Sequence, residues 1–193
     1  MRGDTTQMLQ RHLDLLQAGE AASRHALIAH ACERLRRLTR KMLRGYPSVQ
    51  RWEQTDDVLQ NAVLRLDRAL EAQPPETLRH FFNVAAQQIR WELLDLTKRC
   101  RVAATPLDVD VRGETEEPSD LLQWAEFHQH AADLPQDLRE IVDLLWYEGL
   151  TQGEAAEVLG ISRRTVIRRW QEARVRLFRT ISGGAPSDEP DET

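Results

Sequence analysis

Cysteine is nearly absent: Cys32 and Cys100 are the only two in 193 residues. Two thiols build no disulfide framework, and both read as small helix residues in a reduced setting. Aromatics are sparse at 6%, and glycine and proline are few, which excludes collagen-like and low-complexity chains. No continuous apolar run approaches the roughly 20 residues that cross a bilayer, so no membrane insertion is expected. The opening MRGDTTQMLQ lacks the apolar stretch of a secretory signal, and a cytoplasmic location is expected. A phosphate-binding glycine loop, a nucleophile elbow and a catalytic carboxylate pair are also missing. The chain therefore does not read as an enzyme, and no cofactor is expected. His128 and His130 stand two apart, so a helix points them in different directions. No cysteine or carboxylate cluster completes a metal site around them.

A net charge of -5 argues at first against nucleic acid, but its distribution reverses that impression. Residues 34–51 carry Arg34, Arg36, Arg37, Arg40, Lys41, Arg44 and Arg51 and no acid. Residues 163–179 carry seven arginines against the single acid Glu172. The acids collect between Asp108 and Asp120 and in the tail from Asp188 to Glu192. Basic faces with acidic connectors can hold a polyanion locally while the chain stays soluble.

Apolar spacing predicts helices throughout, with no sustained period-two alternation. The first spans about Thr6–Ala18, with Gly19 as its C-terminal cap. The second spans about Ala21–Arg44, with Leu27, Ala31, Leu35, Leu38 and Met42 inward and Gly45–Pro47 as its stop. A third begins at Thr55 as N-cap and buries Val58, Leu59, Ala62, Val63, Leu66 and Leu70. A fourth, about Thr77–Arg99, buries Leu78, Phe82, Ala85, Ile89, Leu93 and Leu96. Residues 102–118 hold Pro106, Gly113 and Pro118 among acids and read as a linker. Beyond it, Leu121, Leu122, Ala125 and His128 face inward on one helix. Leu138, Ile141, Val142 and Leu145 do so on the next, which Pro135 opens. The expected architecture is all-α: two small helical domains, residues 1–101 and 119–183, joined by the flexible acidic linker and followed by a disordered acidic tail at 184–193.

The sharpest pattern is Gly149–Ala173, GLTQGEAAEVLGISRRTVIRRWQEA. Thr151 and Glu154 form a capping box that starts a short helix. Ala155, Ala156, Val158 and Leu159 let a second helix cross closely, and Gly160 makes the turn. Ser162 caps the next helix, whose stripe is Val166, Trp170, Ala173 and Leu177. This is the layout of a helix-turn-helix. Arg163, Arg164, Thr165, Arg168 and Arg169 lie outward on the second helix, where an arginine fork meets guanine O6 and N7. Arg174 and Arg176 lie further along and suit phosphates.

Residues Leu134–Phe178 resemble region 4 of sigma-70 family sigma factors of the extracytoplasmic-function (ECF) type. Leu134-Pro135, Gly149-Leu150-Thr151, Glu154, Ala156, Leu159-Gly160, Ser162 and Thr165-Val166 carry that resemblance. It implies that this domain reads the −35 promoter element in duplex DNA. The stretch TDDVLQNAVLRLDRAL from Thr55 to Leu70 is similar to region 2.2, where an Asp-x-x-Gln motif docks on the polymerase clamp. The resemblance implies docking through Asp57, Gln60 and Arg65, with Asn61 where the family usually carries Glu.

Arg79–Arg101 resembles regions 2.3 and 2.4 of a divergent subgroup, which open and read the −10 element. Opened bases need stacking surfaces and polar edges, and the backbone needs cations. Asn83, Gln87, Gln88, Arg90 and Trp91 offer the first two, and Lys98, Arg99 and Arg101 the last. The loop Ala72–Glu76 stands where the family holds a flipped base. Phe81-Phe82 replaces the commoner Trp-Leu and Gln87-Gln88 replaces Arg-Asn, and the two phenylalanines read better as core than as a stacking platform. The implied partners are core RNA polymerase, duplex −35 DNA and opened −10 DNA, with an anti-sigma factor as a further partner the family allows. Two other readings remain open: a helix-turn-helix regulator that acts without polymerase, and a protein-binding adaptor with an incidental basic helix.

Overall fold

A computed structural model describes residues 4–42, 52–103 and 121–181, with the side chains of 4, 52–59, 99–103, 121 and 122 left aside. Among these residues every regular element is helical: α1 (Asp4–Gln17), α2 (Ala21–Met42), α3 (Trp52–Ala72), α4 (Leu78–Ala103), α5 (Leu121–Asp133), α6 (Gln136–Val142), a π-helical turn (Asp143–Tyr147), α7 (Gln152–Leu159) and α8 (Arg163–Ile181). The all-α expectation holds. Of the expected linker 102–118, Val102 and Ala103 continue α4, and residues 104–118, the tail, and the stop at Gly45–Pro47 lie outside the described residues.

Helix ends follow local chemistry. Gly19 adopts φ 95° after α1, and the Glu20 amide reaches back to the Leu15 carbonyl at 3.0 Å, a Schellman-type stop that needs the left-handed residue. Thr77 caps α4, its hydroxyl accepting from the His80 amide at 3.1 Å. α3 begins at Trp52, a turn before the expected cap, so Thr55 lies inside the helix.

α4 is the central element. Leu78, Phe82, Ala85, Ile89, Leu93 and Leu96 are buried as expected, together with Phe81, Ala86, Gln88, Arg90, Glu92 and Thr97. One side of α4 packs on α2 and α3, the other on α5 and the π-helical turn. One core layer joins Leu35, Leu38, Leu93 and Leu96 to Trp124, Phe127, Leu138 and Tyr147. A second joins Leu9, Leu27, Leu66 and Phe82 to Ile141, Leu144, Ala155 and Val166. The N-terminal and C-terminal halves thus bury apolar surface against each other.

Three inward assignments shift. Val63 is 37% exposed rather than core. On α5 the buried set is Trp124, Phe127, His128 and Ala131; His128 is inward as expected, Ala125 is only half-buried, and the side chains of Leu121 and Leu122 lie outside the described residues, while the aromatic face meets Trp146 and Tyr147. In the following helix Leu144 and Tyr147 are buried while Leu145 is half-buried. The π-helical turn explains this: the Glu148 amide bonds to the Asp143 carbonyl, five residues back, and the wider turn rotates later side chains out of the α-helical register.

Candidate nucleic-acid interface

The helix-turn-helix forms as its caps dictate. Thr151 and Glu154 make the reciprocal capping box, with Thr151 Oγ1 accepting from the Glu154 amide at 3.3 Å and Glu154 Oε2 from the Thr151 amide at 2.7 Å. Gly160 takes φ 64° after α7, a conformation that costs other residues strain. The Ile161 amide then reaches the Ala156 carbonyl at 3.1 Å. Ser162 caps α8, its hydroxyl accepting from the Thr165 amide at 3.1 Å. Val166, Ala173 and Leu177 bury the inner stripe, with Trp170 half-buried.

The outer face of α8 sorts its seven candidates. Arg163, Arg164 and Arg168 are exposed. The Thr165 hydroxyl lies 2.9 Å from that of Ser162 and serves the cap. Arg169 is half-buried, its Nε 3.3 Å from Asp137. Arg176 is exposed and donates to Glu172 at 2.9 Å, and Arg174 is also exposed.

On α4, Asn83, Gln87, Trp91 and Lys98 lie along one side of the helix. Trp91 is 46% exposed, Gln87 and Lys98 are exposed, and Asn83 is half-buried. Gln88 and Arg90 turn inward. Arg90 pairs closely with Asp143, its guanidinium 4.9 Å from the Tyr147 ring centre. The helical backbone includes Arg99 and Arg101, whose side chains are outside the described residues. Phe81 and Phe82 are buried core, 5.5 Å apart. The loop before α4 is pinned by Gln17, which donates to the carbonyls of Pro75 and Glu76 at 3.2 and 2.9 Å.

On α3, Gln60 and Asn61 are exposed beside Leu64, itself 48% exposed. Arg65 is exposed but bridges to α4, 3.2 Å from Glu92 and 3.5 Å from Asp95. Asp57 lies on the α3 backbone with its side chain outside the described residues.

A polar cluster behind these faces was not legible in the sequence. His128 is fully buried, its Nδ1 2.8 Å from the Tyr147 hydroxyl. Burial, then the Arg90 charge, pulls the His128 imidazole down to about 3. Burial also pushes the Asp143 carboxyl up to about 6, against the pull of Arg90, and raises Tyr147. Arg34 and Arg79 reach the same region from the N-terminal half. No spacing rule marks them, since each contact joins residues more than 60 apart in sequence.

The family model described as ECF sigma factor matches residues 5–183. No curated protein matches the chain.

Proposed function

Since the chain belongs to the ECF sigma factor family, whose role lies in transcription initiation, we propose that it binds core RNA polymerase and directs it to promoters. The observation that carries this reading is the capped α7–Gly160–α8 unit, which holds Arg163, Arg164 and Arg168 exposed on one helix. In the proposal these three read bases in the −35 element, and Arg169, Arg174 and Arg176 hold phosphates. Thr165 acts through the Ser162 cap. The α4 side bearing Asn83, Gln87, Trp91 and Lys98 takes the opened −10 strand by stacking and charge, with Arg99 beyond it.

Docking on polymerase falls to α3 through Asp57, Gln60, Asn61 and Arg65, with Leu64 as an apolar contact beside them. Residues 102–118 connect two functional halves. An anti-sigma factor would compete for the same faces, and a cytoplasmic site of action follows from the polymerase partner. The family's role requires no catalysis by the chain itself.

Run-off transcription tests the reading: purified core polymerase on a promoter library, with and without the chain. Transcripts that appear only with the chain support it. D57A/Q60A should weaken polymerase binding in a polarisation titration and leave helix content unchanged. Tight, sequence-specific duplex binding by the chain alone, with no effect on polymerase, would instead make it a free-standing regulator.

A further inference from the structure

Two carboxylates stand on α4 beside the row read above as the strand face. Glu92 follows Trp91 in the chain, and Asp95 lies one turn on, between Glu92 and Trp91 around the helix. The Glu92 side chain is only 1% exposed, while that of Asp95 is 40% exposed. Arg65 on α3 spans the pair, with Nη1 3.2 Å from Glu92 Oε1 and Nη2 3.5 Å from Asp95 Oδ2. The other Asp95 oxygen lies 3.9 Å from Lys98 Nζ. Arg65 sits one turn from Asn61 and next to Leu64, both exposed on α3. One guanidinium thus joins the exposed side of α3 to the Trp91–Lys98 side of α4.

Charge alone gives these acids the wrong sign. Carboxylates next to Trp91 and Lys98 repel a phosphate backbone, so what they add to strand binding has to be placement. Beneath them α3 and α4 meet through apolar side chains: Ala62 shares a core layer with Ala86, Ile89 and Leu93. Apolar contact is non-directional and leaves small rotations of α4 cheap. A planar fork held by two carboxylates is directional. It also offsets the repulsion between like charges three residues apart on one helix, and it gives the buried Glu92 a cation.

We infer that Arg65 is a positioning residue: by holding Glu92 and Asp95 it fixes the rotation of α4 on α3, and so sets Trp91 and Lys98 for the opened strand. The inference rests on the reading of α4 as the strand-binding helix and α3 as the docking helix. Arg65 acts on the strand through α4 and touches no base or phosphate itself.

The test uses holoenzyme assembled from core polymerase and the full chain. E92Q/D95N removes both charges with little change in shape and leaves Arg65 available to polymerase. E20Q/E71Q removes two exposed acids elsewhere and controls for net charge. Polarisation titrations read core affinity, and the affinity of the holoenzyme for two labelled single strands, the preferred −10 sequence and a scrambled one. E92Q/D95N should bind core as the control does, yet favour the preferred strand over the scrambled one by about fivefold less, a loss typical of coupling between contacting residues. R65K keeps the charge but not the fork and should lose part of that selectivity. R65A should lose no further selectivity when added to E92Q/D95N. A fraction of unfolded chain lowers binding to both strands alike, so the ratio separates positioning from lost stability.

If E92Q does not fold, R65K/D95N changes only exposed groups and should show the same loss of selectivity. Undiminished selectivity in E92Q/D95N, or in R65K/D95N where that variant stands in, overturns the inference: the acids then only repel. So does an R65A that binds core more weakly but keeps full strand selectivity, since Arg65 is then a docking contact alone. A parent holoenzyme that does not distinguish the two strands overturns the reading of α4 itself, and the inference falls with it.

Discussion

Charge on single residues decides what each face of this molecule can do. Two buried groups work against each other in pH. Asp143 holds its proton up to about pH 6 in the fold and to 3.8 otherwise, so between those values the native state carries more protons and stability falls as pH rises. His128 titrates at about 3 in the fold against 6.5 otherwise, so between those values the unfolded chain carries more protons and stability falls as pH drops. Asp143 faces Arg90, Arg139 and Glu148, and His128 faces Tyr147 and Arg90. Each slope reaches about 1.4 kcal/mol per pH unit, and from pH 4 to 6 they oppose each other. D143N leaves His128 unopposed. Its unfolding free energy relative to the parent should rise by about 1.4 kcal/mol per unit across that window, read from urea titrations. A constant difference would mean that Asp143 stays ionised throughout.

Base readers and phosphate holders should also separate residue by residue. R164A or R168A should cost about 1–3 kcal/mol on the preferred −35 sequence and relax one base pair. R174A or R176A should weaken binding to every sequence alike and lower the salt slope by about one. Promoters randomised across the −35 element and transcribed with each variant check this. An unchanged preferred sequence in R163A, R164A and R168A alike would remove α8 from base reading. The sequence placed these arginines well, because caps and a single buried stripe fix which side of α8 faces out. It placed Arg90 and Gln88 poorly. α4 is covered on two sides, and no one-sided periodicity marks a helix that packs against both halves.

At the level of elements, what the sequence revealed is what local chemistry controls. Gly19, Thr77, the Thr151–Glu154 box, Gly160 and Ser162 each act within five residues of themselves, and each forms as its type dictates. The π-helical turn and the aromatic face of α5 depend on distant partners. Trp146 lies 4.7 Å from Phe127 and 4.6 Å from Tyr147, ring centre to ring centre, and the leucine spacing around Leu144 and Leu145 fits an uninterrupted α-helix equally well. Two left-handed glycines give a direct comparison. An alanine at Gly160 meets nothing within 4 Å, so G160A should cost only backbone strain, about 1–2 kcal/mol. G149A carries similar strain at φ 72° and must also displace the Arg34 guanidinium, which forfeits its two bonds to the Trp146 and Tyr147 carbonyls. Such charged bonds contribute about 1.5–3 kcal/mol each. G149A should therefore destabilise more than G160A in urea titrations, and R34A should erase most of the extra cost. Equal losses would show that Arg34 moves aside freely.

At the scale of the whole molecule, the linker and the joint between the halves, where Arg79 pairs with Glu140 and Arg90 with Asp143, make competing demands. The composition of residues 102–118 argues for two units that fold separately. The core argues for two units that stay together, since Leu93 and Leu96 share a layer with Trp124 and Phe127, and Phe82 shares one with Ile141 and Leu144. Both demands are met if each half folds by itself and the joint alone holds them. A chain carrying a specific protease site between Asp108 and Asp110 separates the possibilities. After cutting, the fragments should co-elute on size exclusion at low salt, because apolar contact and paired charges outlast the broken connection. E140Q/D143N fragments should elute apart, each keeping its helical spectrum. Fragments of the parent that part at once would mean the connection, not the joint, keeps the halves together. Fragments that lose helicity on separation would mean that neither half is a folding unit, and promoter reading would then belong to one integrated body.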